Sequence, residues 1–98
     1  MTFEEYLSNM KPGYTVDGGS EDHLIMHELS QRALKITMEL NNKYHTKEEI
    51  VQIMSELTGQ KIDESFGMFP PFYTDCGRNI HIGKNVFINA GCKFQDQG

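Results

Sequence analysis

Apolar side chains recur at helical spacing through the first sixty positions and at a spacing of six from position 76 onward. The change of period divides the chain. Thr2-Phe3-Glu4-Glu5 has the form of a capping box, in which the Thr2 hydroxyl accepts from the Glu5 amide and the Glu5 side chain reaches back. Phe3, Tyr6, Leu7 and Met10 follow as a one-sided stripe, and Lys11-Pro12-Gly13 ends that short helix. Residues 13–20, with Gly13, Asp17, Gly18, Gly19 and Ser20, read as a loop. A second helix begins near Ser20, with Glu21 and Asp22 suited to the positive end of its dipole, and ends around Asn41-Asn42-Lys43. Ile25, Leu29, Ala33, Ile36 and Leu40 line one face of it, and Leu24, Met26 and Leu34 widen that face. Thr46-Lys47-Glu48-Glu49 is a second capping box opening a third helix, which carries Ile50, Val51, Ile53, Met54 and Leu57 and closes at Gly59.

Residues 61–75 form an aromatic connector, Phe66, Met68, Phe69, Phe72 and Tyr73 around Pro70-Pro71, which cannot be helical through the prolines. So much apolar surface in a connector requires a neighbour to cover it. Beyond it, Cys76, Ile82, Ile88 and Phe94 stand six apart, and Ile80, Val86 and Cys92 form a second series of six. Gly77, Gly83 and Asn89 follow the first three members of the longer series. Neither a strand nor a helix has that period. Short strands wound as a solenoid do, with residues i−2 and i pointing inward and Gly or Asn at a corner of positive φ. A hairpin turning at Gly83-Lys84-Asn85 is the competing geometry.

Composition narrows the function classes. The net charge is −5, from 9 Lys plus Arg against 14 Asp plus Glu, without the basic patch that phosphate neutralisation requires, so nucleic acid is not the expected partner. No apolar run approaches a membrane span, and the acidic start is unlike a secretory leader, so no membrane partner and a cytoplasmic location are expected. The two cysteines, Cys76 and Cys92, are expected to be reduced and inward-facing.

The run Met68-Phe69-Pro70-Pro71-Phe72-Tyr73-Thr74-Asp75-Cys76-Gly77-Arg78-Asn79-Ile80-His81-Ile82-Gly83-Lys84-Asn85-Val86-Phe87-Ile88-Asn89 resembles the entry into the hexapeptide-repeat domain of the maltose and galactoside O-acetyltransferases. Arg32 through Asn41 is similar to the Arg…Leu-Asn pattern of that family's small helical domain. The resemblance implies an α+β fold: a helical domain (1–60), the connector (61–75), and the first coil (76–98) of a left-handed parallel β-helix with three hexads per coil. It implies homotrimers, with acetyl-CoA as cosubstrate and a sugar acceptor bound between neighbouring subunits. It also implies a histidine acting as general base on an acceptor hydroxyl. The family's members run to about twice this length, and that histidine falls in a later coil, so no catalytic residue is expected before Gly98.

The positions that match the family's acceptor side are Asn89, Asp75, where the galactoside enzymes have Ser, and Phe87, where they have Tyr. Asp96 and Gln97 flank the match to an acidic acceptor contact, with the ungapped match on Gln97, and Asp17 corresponds to an acceptor-side Asp of the helical domain. His81 lies between Ile80 and Ile82, hence faces outward, and is not at the family's catalytic position. His23 and His27 are four apart on a helix, a metal-compatible spacing without an evident third ligand, so no metal is expected. Two other function classes stand beside the acetyltransferase. One is a non-catalytic module that self-associates through amphipathic helices and an open solenoid edge. The other is a carbonic-anhydrase-like hexapeptide protein, which would need clustered histidines where only His81 is present.

Overall fold

In the computed structural model the described residues are 3–8 and 21–96. They form α1 (Phe3–Ser8), α2 (Glu21–Asn41), α3 (Lys47–Thr58), β1 (Gly67–Met68), β2 (Phe72–Thr74), β3 (Phe87–Ile88) and β4 (Cys92–Phe94). The Thr2 capping box, Met10, the loop containing Asp17, and Gln97 lie outside the described residues, as do the side chains of Phe3, Tyr6 and Leu7. No described helix is long and apolar enough to cross a membrane.

The capping chemistry of α3 is complete. Thr46 Oγ1 accepts from the Glu49 amide at 3.2 Å, and Glu49 Oε1 accepts from the Thr46 amide at 2.8 Å. Gly59 ends the helix at φ 71°, donating its N–H to Ser55 O. With no basic residue in its last turn, α3 receives one from α2. The Arg32 guanidinium donates to the carbonyls of Leu57, at 3.1 Å, and of Glu56, neutralising the negative end of the dipole. The Ile25-to-Leu40 stripe of α2 is buried throughout. Leu24 and Leu34, which the sequence placed on the same face, are 60% and 50% exposed. They sit at the margin of the stripe, where a single helix partner does not reach.

The strands pair only in parallel: β1 with β3 (Gly67 with Phe87) and β2 with β4 (Phe72 with Cys92). Both registers join residues 20 positions apart. Asn85 N–H, donated to Ser65 Oγ at 2.7 Å, keeps the same offset. Parallel partners cannot be joined by a tight hairpin, so the Gly83-Lys84-Asn85 turn does not pair the segments on either side of it. The offset is two residues longer than three hexads. Phe94 therefore lies beside Thr74, and Cys92 beside Phe72, rather than over Cys76. Turns at Arg78–Asn79 and Lys84–Asn85 take up the added length. The corners differ accordingly. Gly77 has positive φ as expected, but Gly83 and Asn89 do not; Asn85 (φ 57°) and Gly91 (φ 83°) occupy the left-handed region instead. A Cβ on Gly77 would come within 2.7 Å of Leu57 Cγ, so this corner needs glycine for space as well.

The larger of two core clusters runs through helices and strands, the smaller being Ile25, Leu29 and Cys76. Ala33, Ile36 and Leu40 of α2 and Ile50, Met54 and Leu57 of α3 pack with Ile62, Phe66, Met68, Phe72, Ile80 and Ile88. The paired strands begin inside the 61–75 segment, whose Phe66, Met68 and Phe72 are covered by the helices while Phe69 and Tyr73 stay exposed. Of the two inward series, Cys76, Ile80 and Ile88 are buried, Ile82, Val86 and Cys92 are half-buried, and Phe94 is 37% exposed with its ring edge-on to Phe72. Asn41, the last residue of α2, joins the halves by polar contacts. Its Nδ2 donates to Phe72 O at 2.9 Å, and its Oδ1 accepts from Phe72 N–H at 2.9 Å. An Asn41→Ala variant leaves both backbone groups of a buried residue unpaired and is expected to lose about 2–4 kcal/mol in a urea titration. Asn42→Ala, at an exposed neighbour, should stay within about 0.5 kcal/mol of wild type.

Candidate functional site

The ends of β2 and β4 bring together the densest polar cluster of the strand region. Asp96 Oδ1 accepts from Thr74 Oγ1 at 2.8 Å and from Cys76 N–H at 3.2 Å, and its Oδ2 accepts from Asn79 N–H at 3.0 Å. Asn79 Nδ2 donates to the Asp96 carbonyl at 2.8 Å, and Asp96 N–H donates to Asp75 Oδ1 at 3.0 Å. The segment from Thr74 to Asn79 is dense in residues that bond their own backbone, and here it wraps a carboxylate delivered from 20 positions further on.

Asp75 and Asp96 have diverging acidities. Burial, then the side-chain hydrogen bond with Asp96, raises Asp75 above the ordinary carboxylate value. Burial also pushes Asp96 up, but hydrogen bonds from Asp75, Gly77, Asn79 and Thr74 together outweigh it and hold Asp96 below that value. Stability contributed by Asp75 is therefore full below its unfolded value and lost as pH rises through its raised value. That of Asp96 is present above its unfolded value and lost as pH falls through its depressed one. Cys76, fully buried beside Ile25 and Leu29, has its thiol pushed up to about 11, chiefly by burial. That thiol is a small apolar packing group rather than a nucleophile.

Phe87 belongs to the other sheet, and Asn89 directly follows its strand β3. Phe87 on β3 is 56% exposed and meets Phe69 edge-on at 5.0 Å, and Asn89, also exposed, accepts from the Ala90 N–H at 2.9 Å. Phe87 walls a groove of about 620 Å³ whose other sides are Phe69, Pro70, Ile50 and the α2–α3 junction at Lys43, Tyr44 and His45. The structure thus unites Asp75 with Asp96 and sets Phe87 on the other sheet. Asp17 and Gln97 are outside the described residues. His81 is exposed and bonded through Nδ1 to the Gln60 side chain. Among the described residues no three or more His, Cys, Asp or Glu side chains are placed to hold a metal, so His23 and His27 gain no further ligand here.

Sequence reasoning passed over the contributions of Thr74 and Asn79, which need Asp96 folded back upon them, and the junction residue His45. The His45 side chain is 7% exposed, with Nε2 donating to Glu39 O at 2.9 Å and Nδ1 lying 3.8 Å from Glu49. Nothing in the loop composition marks that burial.

Comparison with known proteins finds relatives named as acetyltransferases. No family model matches the chain. A Staphylococcus aureus (strain COL) protein named "Putative acetyltransferase" is 35% identical over 80 residues, covering 79% of this chain and 38% of that protein. A Staphylococcus haemolyticus protein of the same printed name is 46% identical over 44 residues, covering 45% of this chain and 22% of that protein. One from Saccharomyces cerevisiae is 32% identical over 92 residues, covering 92% of this chain and 45% of that protein. These relatives support an acetyltransferase family. They do not single out the maltose and galactoside enzymes. The chain spans less than half the length of the curated relatives it matches. The yeast match runs through nearly all of the chain, so helices and strands share the likeness.

Iodoacetamide at neutral pH is expected to modify Cys92, which is half-buried, well before Cys76, as peptide mass mapping over time would show. Equal rates in the folded chain would contradict the packing role of Cys76.

Proposed function

We propose that this chain is the N-terminal portion of an acetyl-CoA-dependent O-acetyltransferase acting on a sugar or a similar hydroxylated acceptor. The observation that carries the reading is the likeness to proteins named as acetyltransferases over 92% of the chain. The parallel strand pairs at a common offset accord with the first coil of a left-handed parallel β-helix built from hexapeptide repeats. β3 and β4 pair on one side only among the described residues, and a following coil would pair with their open edges.

In this reading Asn89 and Phe87 face the acceptor, with Asn89 positioning a hydroxyl and Phe87 offering an apolar face to the ring. Asp75 lies on a different sheet end, and an acceptor site completed by a neighbouring subunit of a trimer would use both faces. Asp96, whose carboxylate is engaged by Thr74, Cys76 and Asn79, holds the turn around Asp75 rather than reaching a ligand. The general base is a histidine of a later coil. It takes the acceptor proton while the acceptor oxygen bonds to the acetyl carbonyl carbon, and the carbon–sulfur bond then breaks to release the coenzyme, which takes up that proton as a thiol.

A second reading, a self-associating module without catalysis, has its own support in Phe69, Phe87 and Tyr73 of the strand region, exposed by 62%, 56% and 45%. Turnover separates the two. The 98-residue chain alone is expected to give no measurable acetyl transfer from acetyl-CoA to sugars, because the base is missing. A longer protein carrying this segment should transfer acetyl groups, and Asn89→Ala there should raise the acceptor KM by about tenfold, the loss of about one hydrogen bond. Absence of transfer in the longer protein, with sedimentation showing discrete oligomers, would favour the self-associating module. Turnover by the isolated chain would relocate the active site.

A further inference from the structure

The groove between the α2–α3 junction and the strands has a basic rim in a chain that is acidic overall. The net charge of the chain is −5. Among the described residues no Asp or Glu lines this groove, whereas Lys43 and Lys47 do. The two lysines are not equivalent. Lys43 Nζ is paired with Glu39 Oε1 at 2.9 Å. Lys47, the first residue of α3, is in no ion pair among the described residues. The neighbouring acids are engaged or lie elsewhere. Glu49 Oε1 accepts from the Thr46 amide, and Glu48 lines a separate groove with Asp63 and Glu64, which Lys47 also borders. The rim therefore carries an ammonium for which the chain supplies no carboxylate.

The walls are apolar and fixed by their own packing. Phe69 and Phe87 meet edge-on, with centroids 5.0 Å apart. The Phe87 ring also lies across Gly67, where a Cβ would come within 3.3 Å of Phe87 Cδ2. Glycine at position 67 lets the ring settle against the backbone of β1, so the ring is held from two sides. Both phenylalanines nevertheless stay more than half exposed. A volume of about 620 Å³, mostly apolar and with few polar groups, is that of a site for one small molecule.

We propose that this groove binds a small apolar anion, a planar ring bearing an anionic group, with the ring against Phe69 and Phe87 and the charge at Lys47. A neutral ring uses the walls and leaves the ammonium alone; a hydrophilic anion does the reverse. A molecule with both parts uses both. The competing occupant is a second copy of this chain, and charge opposes it, since each copy carries −5. The site does not rest on the acetyl-transfer reading, because it is tested by binding without turnover.

Two fluorescent probes with one ring system separate the contributions: anilinonaphthalene sulfonate, an anion, and phenylnaphthylamine, its neutral counterpart. Titrated into the 98-residue chain at low salt, both should bind once per chain, the sulfonate about fivefold more tightly, as one lysine contact near the surface gives. High salt should close that gap. Amide chemical shifts at Gly67, Phe69 and Phe87 should move with either probe. Lys47→Glu should remove the sulfonate's advantage and leave phenylnaphthylamine unchanged. Gly67→Ala, which displaces the Phe87 ring, should weaken both. Equal affinity of the two probes for the wild-type chain, shift changes that map elsewhere, or sedimentation showing dimers from which both probes are excluded would each overturn the proposal, the last giving the groove to a second copy. The wild-type probe pair and its salt dependence decide the matter even if the variants fail to fold.

Discussion

The side-chain amide of Asn41 substitutes for a neighbouring strand. Phe72 is fully buried, and its N–H and C=O point away from β4 to a side where, among the described residues, no strand lies. A buried backbone pair with no partner is costly, and a primary amide offers a donor and an acceptor side by side to answer it. Asn41 does so from the end of a helix, which fixes the angle and depth at which α2 meets β2. Leu40, one residue earlier, is fully buried in the same core. Arg32, about two and a half turns back, ties α2 to the end of α3. The Arg…Leu-Asn pattern is thus a set of three fasteners: one to a helix end, one to the core and one to a strand.

With the helices so fixed, the strand region needs little regular structure of its own. Each strand is two or three residues long and has one strand partner among the described residues. Strands that short gain few ladder bonds, and their place depends on Phe66, Met68, Phe72 and Ile88 entering the helix-lined core. Both sheets pair at the same offset of 20 residues.

Local features were legible in the sequence and long-range register was not. The Thr46 capping box, the Gly59 stop and the buried stripe of α2 follow from chemistry within one or two turns of helix. The period of six pointed to short stacked segments, but it counted 18 residues where the pairing uses 20. Turn conformations at Arg78–Asn79 and Lys84–Asn85 set that length, and φ at Asn85 or Gly91 cannot be read from apolar spacing. Asp75 and Asp96 were both singled out as acceptor-side matches, yet nothing in the residues between them announces that they touch. The partner of Asn41 is 31 positions away and is a backbone, which no side-chain pattern reports.

The account rests on helices and strands forming one cooperative unit, so that neither part stands without the other. Native-state hydrogen exchange measures this directly by comparing the Phe72 amide, bonded to Asn41, the Gly91 amide, bonded to Pro71 O, and amides in the middle of α3. A single unit predicts that all three open with the same free energy and the same denaturant dependence. Strand amides that exchange through a low-energy opening while α3 stays protected would contradict it.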